Sequence, residues 1–399
     1  MPEKEIFAVG VNRRLILKAG AYGACIFCLA PVTGCAFFQE SNQETPADPK
    51  FDPASVSTKK GLIKSELSPW FSSLDDKAVR CELCPKSCVL PVGERGHCRV
   101  RENREGEGYT LVYGNPALVQ EDPVERKPFF HVLPGSRALS ISTAGCNLAC
   151  KFCEVWDMAL VSPEEVHAYD MPPEKVIALA LEGNVPSISY AFGEPVVFYE
   201  YMCAIAEKAR EAGLLNLMHT AGYINPEPLL ALAEKLDAVN FDLKGFNAEF
   251  YREYVGGELE TALENLKSFR DSGVHIEITS IVIPTVNDDM KIIGEMCRWI
   301  AEELGPEVPL HFARFYPLYR LSNLPRTPVS TLEKAREIAL EAGLKYVYLA
   351  KVTGHAAENT FCPNCAEKVV GRVGFVIEEL NLENGSCNFC GSDLPGLWA

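Results

Sequence analysis

The sequence predicts an α/β protein built on a partial (β/α)6 barrel, with a four-cysteine metal-binding extension before it and a zinc-ribbon-like tail after it. Three observations lead there. Strand-like and helix-like segments alternate six times between Ala138 and Leu349, and such alternation builds a parallel sheet with right-handed crossovers. Polar side chains recur at every second position on two of the strands, which puts them on one face. Eleven of the sixteen cysteines fall into three tight groups, placed before, at the start of, and after the alternating region.

The elements follow in order. Ala138–Thr143 reads as a short apolar strand running into Gly145-Cys146. Glu174–Leu181 reads as a helix, Ser187–Phe192 as a strand and Tyr201–Ala212 as a helix with an apolar stripe. Strand Leu215–Thr220, helix Pro226–Leu236, strand Ala238–Lys244 and helix Leu263–Ser272 come next. Strand His275–Ile283, helix Asp289–Leu304, strand Leu310–Tyr316, helix Thr331–Ala342 and a last short strand Lys345–Leu349 complete the series. The length suits six units better than a closed eight-fold barrel. The expected segments are 1–38, a signal; 39–79, a polar linker; 80–137, the cysteine extension; 138–352, the barrel; and 353–399, the ribbon-like tail.

The chain is 47% hydrophobic and 23% charged, an ordinary globular composition. Its net charge of −16 repels phosphate backbones, so nucleic acid is not expected as a partner. In parallel sheets of this kind ligands gather at the carboxyl ends of the strands. Asn240, Asp242 and Lys244 share one strand face, and His275, Glu277 and Thr279 share another. A polar face on a buried strand is costly unless it lines a site; the alternative is an edge strand with a solvated face. Cys203 and Cys297 stand alone in helical patterns and read as small core residues.

The loop after the first barrel strand carries Cys146, Cys150 and Cys153. Thiolates are soft ligands suited to iron–sulfur clusters. Three on one loop can each take one iron corner of a cubane, leaving the fourth iron free for substrate. Zinc would need a fourth ligand nearby, and the nearest histidine is the distant His167.

With Phe152 just before the last cysteine, this loop resembles the C-x3-C-x2-C signature of the radical S-adenosylmethionine (SAM) superfamily. The resemblance implies a [4Fe–4S] cluster at Cys146, Cys150 and Cys153. It also implies SAM chelated at the open iron, and one-electron cleavage of SAM to a 5′-deoxyadenosyl radical that abstracts hydrogen from a substrate. Gly193-Glu194 resembles the family's GGE element with one glycine present, and implies that Glu194 accepts from the SAM amino group. Phe152 would lie near the adenine. Asp242-Leu243-Lys244 resembles a strand element of glycyl-radical activating enzymes, where the lysine approaches the SAM carboxylate. Thr220-Ala221-Gly222 sits where those activases have a strand-end turn, with His219 in place of their aspartate. The cofactor-binding candidates are therefore Phe152, Gly193, Glu194, Thr220, Asp242, Lys244 and Glu277.

Cys362, Cys365, Cys387 and Cys390 form two C-x2-C knuckles 21 residues apart, close to zinc-ribbon spacing. Structural Zn2+ is expected there, with an auxiliary iron–sulfur cluster as the alternative. Cys81, Cys84, Cys88 and Cys98 lie within eighteen residues. They suit Zn2+ or a second [4Fe–4S] cluster, with a slight lean to a structural metal; disulfides enter if the mature protein is extracytoplasmic. The order of parts, from Arg80-Cys81 through Asp122 to His131, the three-cysteine loop and the terminal knuckles, is similar to the radical SAM proteins of the AmmeMemoRadiSam system. These are relatives of pyruvate formate-lyase activating enzyme. That resemblance implies Memo-like and Amme-like partners and a one-electron donor, and names no substrate.

At the front, Arg13-Arg14 before a weakly apolar run resembles a twin-arginine export signal, and Val32 to Cys35 resembles a lipobox. Cys25 and Cys28 lie within the same run. Export and a lipid anchor at Cys35 are expected, with a cytoplasmic protein as the alternative. The functional expectation is a radical SAM enzyme acting on an unidentified protein or small molecule. The alternatives are a glycyl-radical activase, or a non-catalytic metal-binding or electron-transfer lipoprotein.

Overall fold

The structure is a computed structural model and describes residues 57–398. The twin-arginine motif, the lipobox, Cys25, Cys28, Cys35 and the linker up to residue 56 lie outside the described residues. Among the described residues no helix is long and apolar enough to cross a membrane.

One eight-stranded sheet organises the chain. Its strands are β1 (Leu118–Pro123), β2 (Arg137–Ser142), β3 (Ser187–Tyr190), β4 (Leu215–Thr220), β5 (Ala238–Asp242), β6 (His275–Val282), β7 (Leu310–Arg314) and β8 (Val347–Ala350), adjacent in sequential order. From β2 to β8 every neighbouring pair is parallel. The helices between them are α1 (Pro173–Gly183), α2 (Tyr199–Glu211), α3 (Pro226–Ala233), α4 (Leu259–Asp271), α5 (Met290–Trp299) and α6 (Val329–Glu341). The strands are buried along nearly their whole length, as expected where helices cover a parallel sheet. In α5, Ile293, Met296 and Cys297 face inward at helical spacing, and the Asp289 carboxylate caps the first turn by accepting from Lys291 N at 2.8 Å. Cys297 is buried in this core, and Cys203 is half-buried on α2.

Two boundaries differ from the sequence expectation. The sheet begins at β1, inside the segment assigned to the cysteine extension. Strand β1 pairs antiparallel with β2, Leu118 against Ser142 and Pro123 against Arg137. Its sequence, Leu-Val-Gln-Glu-Asp-Pro, is too polar to announce a barrel strand; Arg137 and Lys127 satisfy its Glu121 and Asp122. The expected linker is also structured from Thr58 onward. Thr58–Lys60 pairs with His167–Tyr169, Glu66–Leu67 with Glu107–Thr110, and Phe71–Ser73 with Val79–Cys81. Short polar edge strands carry little periodicity, and their pairing is set by distant partners.

The two outer cysteine groups adopt different spacings. Cys362, Cys365, Cys387 and Cys390 bring all four sulfurs within 4.8 Å of one another, the one group of three or more potential ligands to do so among the described residues. Cys81, Cys84, Cys88 and Cys98 do not gather this closely, so the lean toward a structural metal is not supported there by the spacing of a single closed ion. Cys81 and Cys88 are tied by backbone pairing, Cys81 N to Cys88 O at 3.0 Å. Cys98 comes from a separate turn, in which Arg99 N donates to Gly96 O. All four are free thiols.

Candidate functional site

A cavity of about 560 Å³ opens at the carboxyl ends of the strands. The three-cysteine loop forms one wall. It leaves β2 through Gly145, whose φ of +96° lies in the left-handed region. A Cβ there would fall 2.6 Å from Val100 and 2.7 Å from the Cys98 carbonyl oxygen, so the loop can run tight against the N-terminal extension only with glycine. The loop is held by its backbone: Ala149 N donates to Val255 O at 2.9 Å and Lys151 N to Tyr254 O at 2.8 Å. The Asn147 amide donates to Tyr223 O at 2.7 Å. Phe152 is buried and stacks on Phe250, with centroids 6.0 Å apart.

Cys146, Cys150 and Cys153 all line the cavity. Burial pushes the Cys150 thiol up to about 12, against the pull of the Lys244 ammonium. Burial raises Cys146 and Cys153 as well. Three half-buried thiols therefore resist ionisation in the bare protein, and a multiply charged metal centre is what stabilises them as thiolates. They do not approach as the C-terminal quartet does. A cubane carries its thiolates on outer corners, wider apart than the ligands of one ion, so these residues fit a cluster.

Opposite the loop, Glu194 follows β3. Its Oε1 accepts from Thr220 Oγ1 at 2.5 Å and from Val196 N at 3.2 Å, and its Oε2 accepts from Ala221 N at 2.9 Å. Burial raises its pKa, and these donors pull it back. Each carboxylate oxygen has two lone pairs, so Oε2 keeps one for a ligand. Gly193 N donates to Ser142 Oγ at 3.0 Å, and a Cβ on Gly193 would sit 2.6 Å from that oxygen. Phe192 stands where the resembling motif has its first glycine, and keeps a left-handed φ of +70°. The Phe192 ring lies under two cations, Lys127 Nζ at 5.0 Å and the Arg126 guanidinium at 5.4 Å. That contact offsets a backbone cost of about 1–2 kcal/mol.

Asp242 and Lys244 form an ion pair on the cavity wall, and His219 Nε2 lies 3.2 Å from Asp242 Oδ1 without hydrogen-bond alignment. Burial opposes ionisation of Asp242, but Lys244 and then His219 outweigh it and hold Asp242 well below the usual carboxylate range. Lys244 is likewise penalised by burial and held charged by Asp242 and then Cys150.

Six of the seven sequence candidates, Phe152, Gly193, Glu194, Thr220, Asp242 and Lys244, thus meet at one cavity, joined by Thr279. Glu277, expected to bind the cofactor, does not line it. It sits nearer the start of β6, fully buried, and accepts from Phe130 N at 3.0 Å, His131 N at 2.8 Å and His311 Nε2 at 2.7 Å. Asn240 behaves similarly, donating to Pro128 O at 2.8 Å. The polar strand faces are therefore divided. Their carboxyl ends face the cavity, and their amino ends hold the segment from Asp122 to His131 in place.

Sequence reasoning missed the contribution of the tail. Glu358, Gly374 and Phe375 line the same cavity, with Glu125 and Phe130 from the Asp122–His131 segment. Arg372 joins these parts by donating to Phe130 O at 2.7 Å and Thr360 Oγ1 at 2.8 Å. The only advance signal was the run from Asp122 to His131, which has charge and aromatic character without periodicity. The tail's knuckles have the geometry of a closed metal site. Cys362 Sγ lies 3.6 Å from Cys390 Sγ, and Cys365 Sγ 3.7 Å from Cys387 Sγ. Zn–S bonds of about 2.3 Å give tetrahedral edges of about 3.8 Å.

Residues 140–296 match the sequence profile of the radical SAM superfamily. An uncharacterised protein of Methanocaldococcus jannaschii is 42% identical over 327 residues, covering 82% of this chain and 97% of that protein. The pyruvate formate-lyase-activating enzyme of Clostridium pasteurianum is 25% identical over 174 residues, 42% of this chain and 70% of that enzyme. The crystal structure of a radical SAM methyltransferase from Sphaerobacter thermophilus aligns over 74% of this chain and 80% of its own, with 14% identity and a TM-score of 0.45.

Proposed function

The chain belongs to the radical SAM superfamily, and from that premise we propose that it uses SAM to abstract hydrogen from a protein substrate, with a low-potential one-electron donor as its second partner. The observation that carries the SAM chemistry is the meeting of Cys146, Cys150, Cys153, Glu194 and Lys244 at one cavity. When bound, the [4Fe–4S] cluster and SAM supply one-electron cleavage of a carbon–sulfur bond and a 5′-deoxyadenosyl radical. The chain's own residues do the rest. As thiolates, Cys146, Cys150 and Cys153 would hold three irons and leave one open. The spare lone pair of Glu194 Oε2 would take the SAM ammonium, and the Lys244 ammonium would face the SAM carboxylate. Phe152 would offer an apolar wall to the adenine, and the buried Phe130 would help keep water from the cavity.

The protein-substrate reading rests on the activating-enzyme relative, whose name specifies an enzyme as its target. Membership of the AmmeMemoRadiSam system, with Memo-like and Amme-like partners, rests on the order of the Cys81–Cys98 group, the Asp122–His131 run and the terminal knuckles. Export and lipidation at Cys35 rest on the sequence motifs alone; mass spectrometry of the mature N-terminus decides them, and a chain still beginning at Met1 rejects them.

The test is anaerobic reconstitution with iron, sulfide, SAM and a chemical reductant. 5′-Deoxyadenosine is expected, and its absence from cluster-replete protein rejects the proposal. Glu194→Ala should keep the iron and weaken SAM binding by about 1.5–3 kcal/mol, the cost of losing hydrogen bonds to a charged group.

A further inference from the structure

The four thiols of the N-terminal extension form a site that the SAM chemistry does not use. Cys81, Cys84 and Cys98 are buried and Cys88 is half-buried, and none is in a disulfide. One buried thiol is ordinary; four on converging turns need a reason. The backbone beside one of them is arranged for a thiolate. The amide of His97 donates to Cys88 Sγ at 3.5 Å. Amide donors directed at sulfur are what iron–sulfur and zinc thiolates have in common. The fully buried Arg101 guanidinium, paired with Glu200 at 2.9 Å, lies close to Cys81 and Cys98.

Spacing separates the two metals. The C-terminal quartet shows what a single-ion site looks like in this chain, with sulfur pairs 3.6 and 3.7 Å apart. Neither the N-terminal thiols nor the Cys146, Cys150 and Cys153 set includes three sulfurs mutually within 4.8 Å. The N-terminal group therefore lacks the close spacing of the tail's single-ion site. It also adjoins the radical loop. The Cys98 carbonyl oxygen packs on Gly145, and Lys86 Nζ donates at 2.7 Å to Gly256 O, next to the Val255 carbonyl that holds Ala149.

We propose that Cys81, Cys84, Cys88 and Cys98 hold a second, fully ligated [4Fe–4S] cluster against the back of the radical-cluster loop. With four protein thiolates, no iron is left open, so this cluster does not bind SAM.

The full chain tests it, reconstituted anaerobically with ferrous iron and sulfide. Wild type should carry about eight irons and about one zinc, with about one iron in eight, the open iron of the radical cluster, changing its Mössbauer signature on adding SAM. The variant C146A/C150A/C153A leaves the proposed ligands untouched. It should keep about four irons as a [4Fe–4S] spectrum indifferent to SAM. C81A/C84A should lose those irons and keep the SAM-sensitive cluster. If C81A/C84A fails to fold, the triple variant alone decides. A triple variant with no iron overturns the proposal, whether it holds about two zinc ions or only one. The two readings fail separately: iron-free triple variant overturns the second cluster alone, whereas wild-type iron wholly insensitive to SAM overturns the radical site alone.

Discussion

The C-terminal knuckles and the three-cysteine loop use the same soft ligand in opposite ways. In the tail, two C-x2-C turns face each other and close four sulfurs around a point. In the barrel, one loop spreads three sulfurs along a cavity wall shared with Glu194 and Lys244. The first arrangement can satisfy every coordination position of one ion from the protein, which would serve stability. The second leaves a position unfilled beside space for a ligand, and that serves chemistry.

The sharpest way to break this comparison is to remove ligands from each, one from the loop and one from each knuckle of the tail. Cys146→Ala should abolish 5′-deoxyadenosine formation while leaving the thermal unfolding of the tail unchanged. Cys362→Ala with Cys387→Ala should do the reverse to the metal content, losing zinc and keeping the radical cluster's iron. Its cost falls on folding, on the order of 10 kcal/mol of local stability, the scale of structural zinc in small domains. Limited proteolysis of the tail would show it. Comparable loss of iron in both variants would mean that the two sites are not separable.

Glu277 tests the base of the barrel, where the tail and the Asp122–His131 run are anchored. Glu277→Ala strands the Phe130 and His131 amides and the His311 ring without their acceptor. A loss of about 3–5 kcal/mol in urea unfolding is expected. A change below about 1 kcal/mol would show that water replaces the carboxylate. The smaller effect expected of Glu194→Ala, on SAM binding rather than folding, would separate the two ends of the strands.

Acid should reach the same base. Burial holds the His131 pKa down to about 3. Its neutral ring donates from Nδ1 to Pro395 O and accepts at Nε2 from Tyr348 OH, both at 2.7 Å. Below the ordinary histidine pKa of about 6.5, the unfolded chain binds a proton that the folded chain refuses. This contribution is thus present in full above about pH 6.5 and declines as pH falls toward the folded value. Glu277, held well below its usual range despite burial by its His275 and His311 partners, adds a loss at still lower pH. His131→Asn should flatten the stability slope between about pH 6.5 and pH 4.5; an unchanged slope would assign it to other groups.

The smallest expected effect is at Phe192. Phe192→Gly relieves a left-handed residue but loses the ring under Arg126 and Lys127. The opposing contributions are each about 1–2 kcal/mol, so stability should change by less than about 1 kcal/mol. A larger loss would make the cation–ring contact the dominant one.

Much of the barrel could be read in advance because its signals are local. Alternating segments mark β2 to β8, and a C-x3-C-x2-C spacing places three thiols on one turn whatever surrounds it. The knuckles at Cys362–Cys365 and Cys387–Cys390 are local in the same way. Those short-range patterns, together with charge and composition, are what the sequence by itself determined: the fold class, the site loop and the ligand types.

Tertiary structure decided what depends on partners far along the chain. Glu277 reads on its strand like a cavity residue, and only the packing of Phe130, His131 and His311 against it makes it an anchor. Strand β1 is too polar to announce itself until Arg137 and Lys127 neutralise it. Phe375 becomes part of the cavity because Arg372 ties the tail to Phe130, residues more than two hundred positions apart. Spacing along a chain fixes which side chains share a turn or a face. It carries no information on which distant carbonyl, cation or ring will satisfy them, and that choice separates an anchor from a ligand.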